Sequence, residues 1–453
     1  MNKNDFSQGS VNRHILNIAG PMIIAQLINV LYNVIDRIYI GRIPEVSTLA
    51  MGGLGLCLPL ISIIIAFANL FGMGGSPLCS IARGKGDIKE AEEIMGNSFV
   101  MLVVFSFVIM IVGFLFKEPI LWLFGASEET FKYANDYMTI YLLGTLFVLV
   151  GLGMNSFINS QGFAKIGMMT VLIGAVMNIV LDPVFIFVFN MGVKGAALAT
   201  VISQMVSALW TIQFLVSERT ILKLRKERLK LKWNYIKKIV SLGMAGFMMA
   251  ITNSIVSIVC NSTLSYYGGD MYIAFMTIIN SIREVASLPG QSVANASQPV
   301  LGYNYGAQCY DRVLKGIKFT TITSLSAMLL LWLTIHMFPV TLMKIFTNDS
   351  YILNHGVDAI RLYFFGFYMM SFQMSGQAVA IGLGKSKQAI FFSIFRKVII
   401  VAPLTIILPQ YIGIDGVFIA EAISNFIGGG ACYITMWLTI GKKLKNTGSR
   451  VYS

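Results

Sequence analysis

The chain has 453 residues, of which 56% are hydrophobic and 12% charged, with a formal net charge of +13. That charged share is about half of what an ordinary soluble domain carries, and mean hydropathy is +0.73. So little charge cannot cover a soluble globule of this length, which excludes a cytosolic enzyme, a disordered chain and a nucleic-acid binder, and leaves a polytopic membrane protein.

A membrane-crossing helix needs about 20 mainly apolar residues. Twelve such stretches follow in chain order: 14–40, 50–76, 92–116, 134–159, 166–189, 195–216, 236–266, 272–300, 313–338, 356–381, 388–408 and 416–440. The first is too long for the apolar region of a cleavable signal and is expected to stay as a span. Transmembrane β-strands are short and alternating, and these runs are long and continuous, so the spans are helices.

Lys and Arg set the expected orientation. With the N-terminus in the cytoplasm, the inner segments carry about 24 of the 34 basic residues, from Lys3 and Arg13 through Arg83, Lys85, Lys89, Lys165, Arg312, Lys385 and Lys442 to Arg450. The outer loops keep Arg42, Lys117, Lys132, Lys194 and Lys344. Both termini are expected inside, in a multi-pass protein of the cell membrane. Nine of the inner basic residues fall between Arg219 and Lys238, around the run ERTILKLRKERLKLKWN. This block reads either as a solvated linker or as an interfacial helix on anionic lipid.

The block sits at the midpoint of the chain. Gly192 and Gly195 in NMGVKGAALAT match Gly413 and Gly416 in YIGIDGVFIAE. Gly162 and Lys165 resemble Gly382 and Lys385, and Ser76-Pro77 resembles Gln298-Pro299. The near-constant offset marks an internal repeat. The expected organisation is a lobe over 1–217, a basic linker over 218–235 and a second lobe over 236–453. Six spans per half is an even number, so the halves share one orientation. The fold class is an all-α membrane protein with twelve transmembrane helices in two pseudo-symmetric six-helix bundles around a central cavity, an arrangement that suits a transporter better than a passive channel or a sensor.

A charge at the bilayer centre costs about 2.5–3.5 kcal/mol and needs a partner or a task. Asp36 lies in span one, with Asn29 and Asn33 on the same expected helix face. Asp182 lies in span five, one turn after Asn178 and just before Pro183, which frees a backbone carbonyl. Together these make a hard-oxygen set suited to Na⁺ or a proton. The plainer alternative pairs Asp36 with Arg37 and makes Asp182 a cap at a kink. In the second half, Arg283, Glu284 and Glu421 mark a possible substrate or proton site, or a structural pairing of Glu421 with Arg283 or Arg361.

The five cysteines have no CxxC spacing and the three histidines are far apart, so neither set forms a metal cluster. The 26 methionines suit an adaptable pocket or plain core filling. No catalytic constellation is present, so neither an enzyme nor a cofactor is expected.

The chain resembles the multidrug and toxic compound extrusion (MATE) family over essentially its whole length. The resemblance rests on Gly20-Pro21 with Asp36, SPLCSIARGKGD (76–87), NIVLDPVFIF (178–187), GVKGAALAT (192–200) and QPVLGYNYGA (298–307). It implies export of organic, often cationic compounds coupled to Na⁺ or H⁺. The family's N-lobe cation site maps onto Asp36, Asn178, Asp182 and Thr200, and its bending proline onto Pro21. Some branches use acids in spans seven and ten; here span seven has none and span ten has only Asp358 near its edge. The expected partners are therefore small organic cations and the lipid bilayer, with no nucleic acid, and the protein is expected to be a monomer. A flippase for a lipid or lipid-linked precursor is the alternative.

Overall fold

The structure, a computed structural model, describes residues 5–44, 46–347 and 350–451. Lys3 and the side chains of His355 and Arg450 lie outside the described part. Among the described residues there are helices and short connections but no strand.

Seven helices form the first half: α1 (Val11–Ile40), α2 (Ser47–Gly84), α3 (Ile88–Leu123), α4 (Glu128–Leu143), α5 (Thr145–Ser160), α6 (Ala164–Pro183) and α7 (Val193–Val216). The second half holds α8 (Trp233–Gly269), α9 (270–306), α10 (Tyr310–Met337), α11 (Ser350–Phe364), α12 (Met370–Gly382), α13 (Ser386–Ile412) and α14 (Asp415–Asn446). Helices α8 and α9 run on directly, parted by Gly269 at φ 68°. Nine of the described helices are long and apolar enough to cross a membrane. A tenth crossing is the α4–α5 pair, bent by 57° at Gly144. The remaining two expected spans are α9 and the α11–α12 pair, whose polar residues dilute their hydropathy. With them the chain is an all-α membrane protein of twelve spans.

The helices cluster into two compact units, Pro21–Gly243 and a second made of Met1–Gly20 with Met244–Ser453. The chain changes unit inside two long helices, at Gly20–Pro21 in α1 and at Gly243–Met244 in α8. Helix α1 continues through Pro21, although the missing amide leaves one carbonyl of the preceding turn without its helical donor.

In the first unit, α2 packs on α3, α4 and α5, and α7 packs on α5 and α6. Small residues allow the closest crossings, as membrane helices generally require. A Cβ built on Gly72 would meet the backbone of Gly153 at 2.6 Å. In the second unit, Phe275, Phe364, Phe367 and Phe418 lie at the centre of an apolar core together with Leu264 and Ile279.

The repeat is visible in backbone geometry. Gly192 and Gly413 both take positive φ, 54° and 69°, immediately before α7 and α14. Three residues on, a Cβ at Gly195 would strike the backbone of Phe185, and one at Gly416 the backbone of Leu408. The α2–α3 turn, with Gly86 at φ 81°, recurs as the α9–α10 turn, with Gln308 at φ 59°. One match shifts register: positive φ falls on Gly162 and on Gly384, rather than on Gly382. Turn geometry therefore pairs Lys165 with Lys387, not with Lys385.

The central basic block does not form an interfacial helix. Only Lys226–Arg228 makes a short 3₁₀ turn, because specific anchors hold the rest in irregular conformation. Gln161 Oε1 accepts from Thr220 Oγ1 and from the amides of Ile221 and Leu222. Asn97 bonds the Lys230 carbonyl and the Lys232 amide. Arg225 and Arg228 pair with Glu92, and Arg228 and Lys232 with Glu93. In the same block the Lys223 ammonium holds the carboxyl of exposed Glu218 below the ordinary carboxylate range. The segment before α1 is anchored in a similar way on the second unit. Tyr303 donates to Asp5, Asn304 to the Phe6 carbonyl, and Arg312 to the Gly9 carbonyl.

Candidate functional site

The first unit converges three helices on one buried polar point. Asp36 comes from the last turns of α1, Asn178 and Asp182 from the end of α6, and Thr200 from α7. All four side chains are buried, Asp182 completely. The i, i+4 spacing of Asn178 and Asp182 puts both on one face of α6, and Asn178 Nδ2 donates to Asp182 Oδ1 at 3.3 Å. The same amide reaches Thr200 Oγ1 at 3.3 Å. After Asp182, Pro183 interrupts the regular amide ladder and the chain runs into a π-helical stretch, Val184–Val188. Such stretches are frequent at functional sites.

Asp36 and Asp182 lie close enough to repel each other when both are ionised. Two ionised carboxylates offer only acceptors. Their approach therefore calls for a shared proton or an intervening cation. Three buried oxygens, Asp36 Oδ1, Asn178 Oδ1 and Asp182 Oδ2, have no hydrogen-bond partner. Among the described residues no basic side chain forms an ion pair with either acid, and Arg37 is exposed. The adjacent-residue pairing of Asp36 with Arg37 is not formed, because neighbours on a helix point about 100° apart.

The sequence reading placed Asn29 and Asn33 with Asp36, but both are exposed. The face of α1 that carries Asp36 inward holds Tyr32 instead, one turn earlier. Tyr32 and Tyr137 lie beside Thr200 and the two acids. Tyr141 stacks on Tyr137 with ring centroids 6.0 Å apart. These three tyrosines were missed. Tyr32 could have been found from its i, i+4 spacing to Asp36; Tyr137 and Tyr141 come from α4, and only the tertiary fold brings them here.

The second unit gathers a different set. Glu421 on α14 is buried and accepts from Lys397 Nζ at 3.1 and 3.3 Å and from an Arg396 terminal nitrogen at 3.1 Å. The same Arg396 nitrogen bonds Asn425 Oδ1 at 2.5 Å. Arg396 and Lys397 sit in the π-helical stretch Phe395–Val401 within α13. They are the partners that the sequence reading sought in Arg283 and Arg361. Arg361 is exposed and takes no part. Arg283 lines a cavity beside Lys397 and Glu421, whereas Glu284, one residue on, turns outward and is exposed. Among the described residues no three His, Cys, Asp or Glu side chains converge on a metal site.

Comparison with known proteins follows this geometry. The profile of the family described as MatE matches residues 21–184 and again residues 245–407. One repeat thus falls in each half of the chain. The multidrug export protein MepA of Staphylococcus haemolyticus (strain JCSC1435) is 25% identical over 429 residues, covering 93% of each chain. MepA of Staphylococcus saprophyticus is 24% identical, covering 96% of this chain and 95% of its own. Among solved structures, the outward-facing conformation of a multidrug resistance MATE family transporter of the MOP superfamily has a TM-score of 0.92 at 24% identity, covering 98% of this chain and 99% of its own. A MATE crystal structure in the bent conformation has a TM-score of 0.93 at 23% identity and covers 99% of both chains. The chain therefore belongs to the MatE family, whose members are membrane transporters and not enzymes.

Proposed function

We propose that this protein is a secondary antiporter of the cell membrane that exports organic, amphipathic, cationic compounds in exchange for Na⁺ or H⁺. Its relatives named as multidrug export proteins support the export role. The observation that carries the coupling role is the buried pair Asp36 and Asp182, without an ion-pair partner among the described residues and with Asp36 Oδ1, Asp182 Oδ2 and the neighbouring Asn178 Oδ1 unpartnered. Asp36, Asn178, Asp182 and Thr200 would hold the coupling ion, with the Asn178 amide bridging Asp182 and Thr200. No resident cofactor is part of this reading.

Loading one ion leaves the two acids sharing a single negative charge, and unloading restores a repulsive pair. An ion bound more tightly in one conformation than the other shifts the balance between them, and a substrate with the opposite preference completes the exchange. One charge crossing 100 mV gains about 2.3 kcal/mol, enough to drive useful accumulation. Pro21 would let α1 bend as the site loads. On this reading Pro21→Ala slows turnover more than it weakens ion binding, and normal turnover in the variant removes the bending role. The distribution of basic segments supports a reading with both termini in the cytoplasm, and one chain holding both lobes suits a monomer.

The direct test is export of a fluorescent organic cation from proteoliposomes, with Na⁺ and pH gradients imposed separately. Export driven by either gradient and lost in Asp36→Asn supports the antiporter and names its ion. Lipid scrambling without gradient-driven dye export rejects it in favour of a lipid flippase.

A further inference from the structure

The cavity in the second unit carries more positive than negative charge. Its wall holds Arg283 from α9, Lys397 from α13 and Glu421 from α14, and it has a volume of about 30 Å³, room for one small polar group, behind an open mouth. Glu421 is already shared between Lys397 and Arg396, both buried with it. That trio holds two cations and one anion. Arg283 adds a third cation, and among the described residues it makes no ion pair. Glu284 cannot serve, being exposed on another face of α9. A half-buried guanidinium with no carboxylate to accept its planar donors is left free to take an anion that enters the cavity.

The rest of the lining suits the same ligand. Asn253, Asn261 and Asn280 add amide groups, while Met276 and Val256 add apolar wall. Such a pocket grips an oxyanion on an otherwise greasy molecule.

We propose that this cavity binds the anionic group, a carboxylate in particular, of an amphipathic substrate, with Arg283 as its direct partner and Lys397 as the second charge. The substrates of the export reading then include zwitterions and not simple cations alone. This inference rests on that reading for its transport meaning, but its binding test needs no ion gradient.

Two dyes that differ in one group serve as probes: tetramethylrhodamine with a free carboxylate, and its methyl ester. Fluorescence anisotropy on the purified full-length protein in neutral detergent gives both affinities. Each dye's partition into protein-free micelles is measured separately and subtracted before the two affinities are compared. Wild type should bind the free acid at least tenfold more tightly than the ester. Arg283→Gln should erase that preference while leaving ester binding in place, and Arg283→Lys should restore part of it. Equal affinity of wild type for both dyes, or no binding of the acid, overturns the proposal without any variant having to fold. Tight binding of the ester alone also overturns it and leaves export of cations standing. An acid preference that persists in a folded Arg283→Gln protein moves the contact off Arg283 and contradicts the assignment.

Discussion

The two units solve the same problem in opposite ways. In the first, Asp36 and Asp182 face each other with no basic side chain paired to them among the described residues. In the second, Glu421 is held by Arg396 and Lys397 together. Both sites are buried, and both lie beside a π-helical stretch. An acid with two fixed cations has its counter-charge built in, and it has little reason to exchange protons or metal ions. Two acids without cations must take their counter-charge from outside. The comparison therefore supports the proposed ion traffic in the first unit, and the proposed anchoring or anion chemistry in the second.

Breaking the comparison should give effects of graded size. Asp36→Asn and Asp182→Asn each remove half of the carboxyl pair while keeping its shape. Either should abolish gradient-driven export with little loss of expressed, folded protein; wild-type export by both removes the first-unit site. Glu421→Ala strips both fixed cations of their partner. Breaking a buried pair this way costs about 3–5 kcal/mol, so thermal unfolding in detergent should shift clearly downward. Unchanged unfolding would mean that Arg396 and Lys397 find other acceptors.

Two smaller changes sharpen the picture. Gly195→Ala and Gly416→Ala occupy matching repeat positions, and each would drive a Cβ into backbone at 2.7 and 2.6 Å. Each should cost about 1–3 kcal/mol as overpacking, by similar amounts if the repeat is structural; a neutral effect at one position and not the other would break the equivalence. Thr200→Val removes the hydroxyl that the Asn178 amide reaches, at nearly constant volume. A lost hydrogen bond of about 1 kcal/mol corresponds to roughly fivefold in apparent ion affinity, measured as the ion concentration giving half-maximal export.

Much of this was legible because membrane burial makes polar residues conspicuous. Asp36, Asn178 and Asp182 stand out in apolar runs, and local helical spacing already pairs the last two. Thr200 came only through the family resemblance, since a threonine in an apolar helix signals nothing by itself. Arg396 and Lys397 were equally conspicuous in FRKVIIV and were passed over, although adjacent basic residues inside a span call for an acid partner. Asn33 was misplaced because three residues leave it about 60° around the helix from Asp36, and Asn29 because seven residues put it about 10 Å along the axis, two turns from the carboxyl pair; Tyr32, one turn from Asp36, took the inward position. The central block was ambiguous from its alternating basic and apolar residues. Its conformation is set by Glu92, Glu93, Asn97 and Gln161, which are distant in sequence and unmarked by any local pattern.

The most direct test of the central claim is ion release on substrate binding. Purified protein loaded with protons or with radioactive Na⁺ is titrated with an organic-cation substrate, and the released ion is counted in wild type, Asp36→Asn, Asp182→Asn and Glu421→Gln. The account predicts release by wild type and by Glu421→Gln, and none by either aspartate variant. Wild-type release from both aspartate variants, with release lost in a folded Glu421→Gln protein, would move the coupling ion to the second unit and contradict the account.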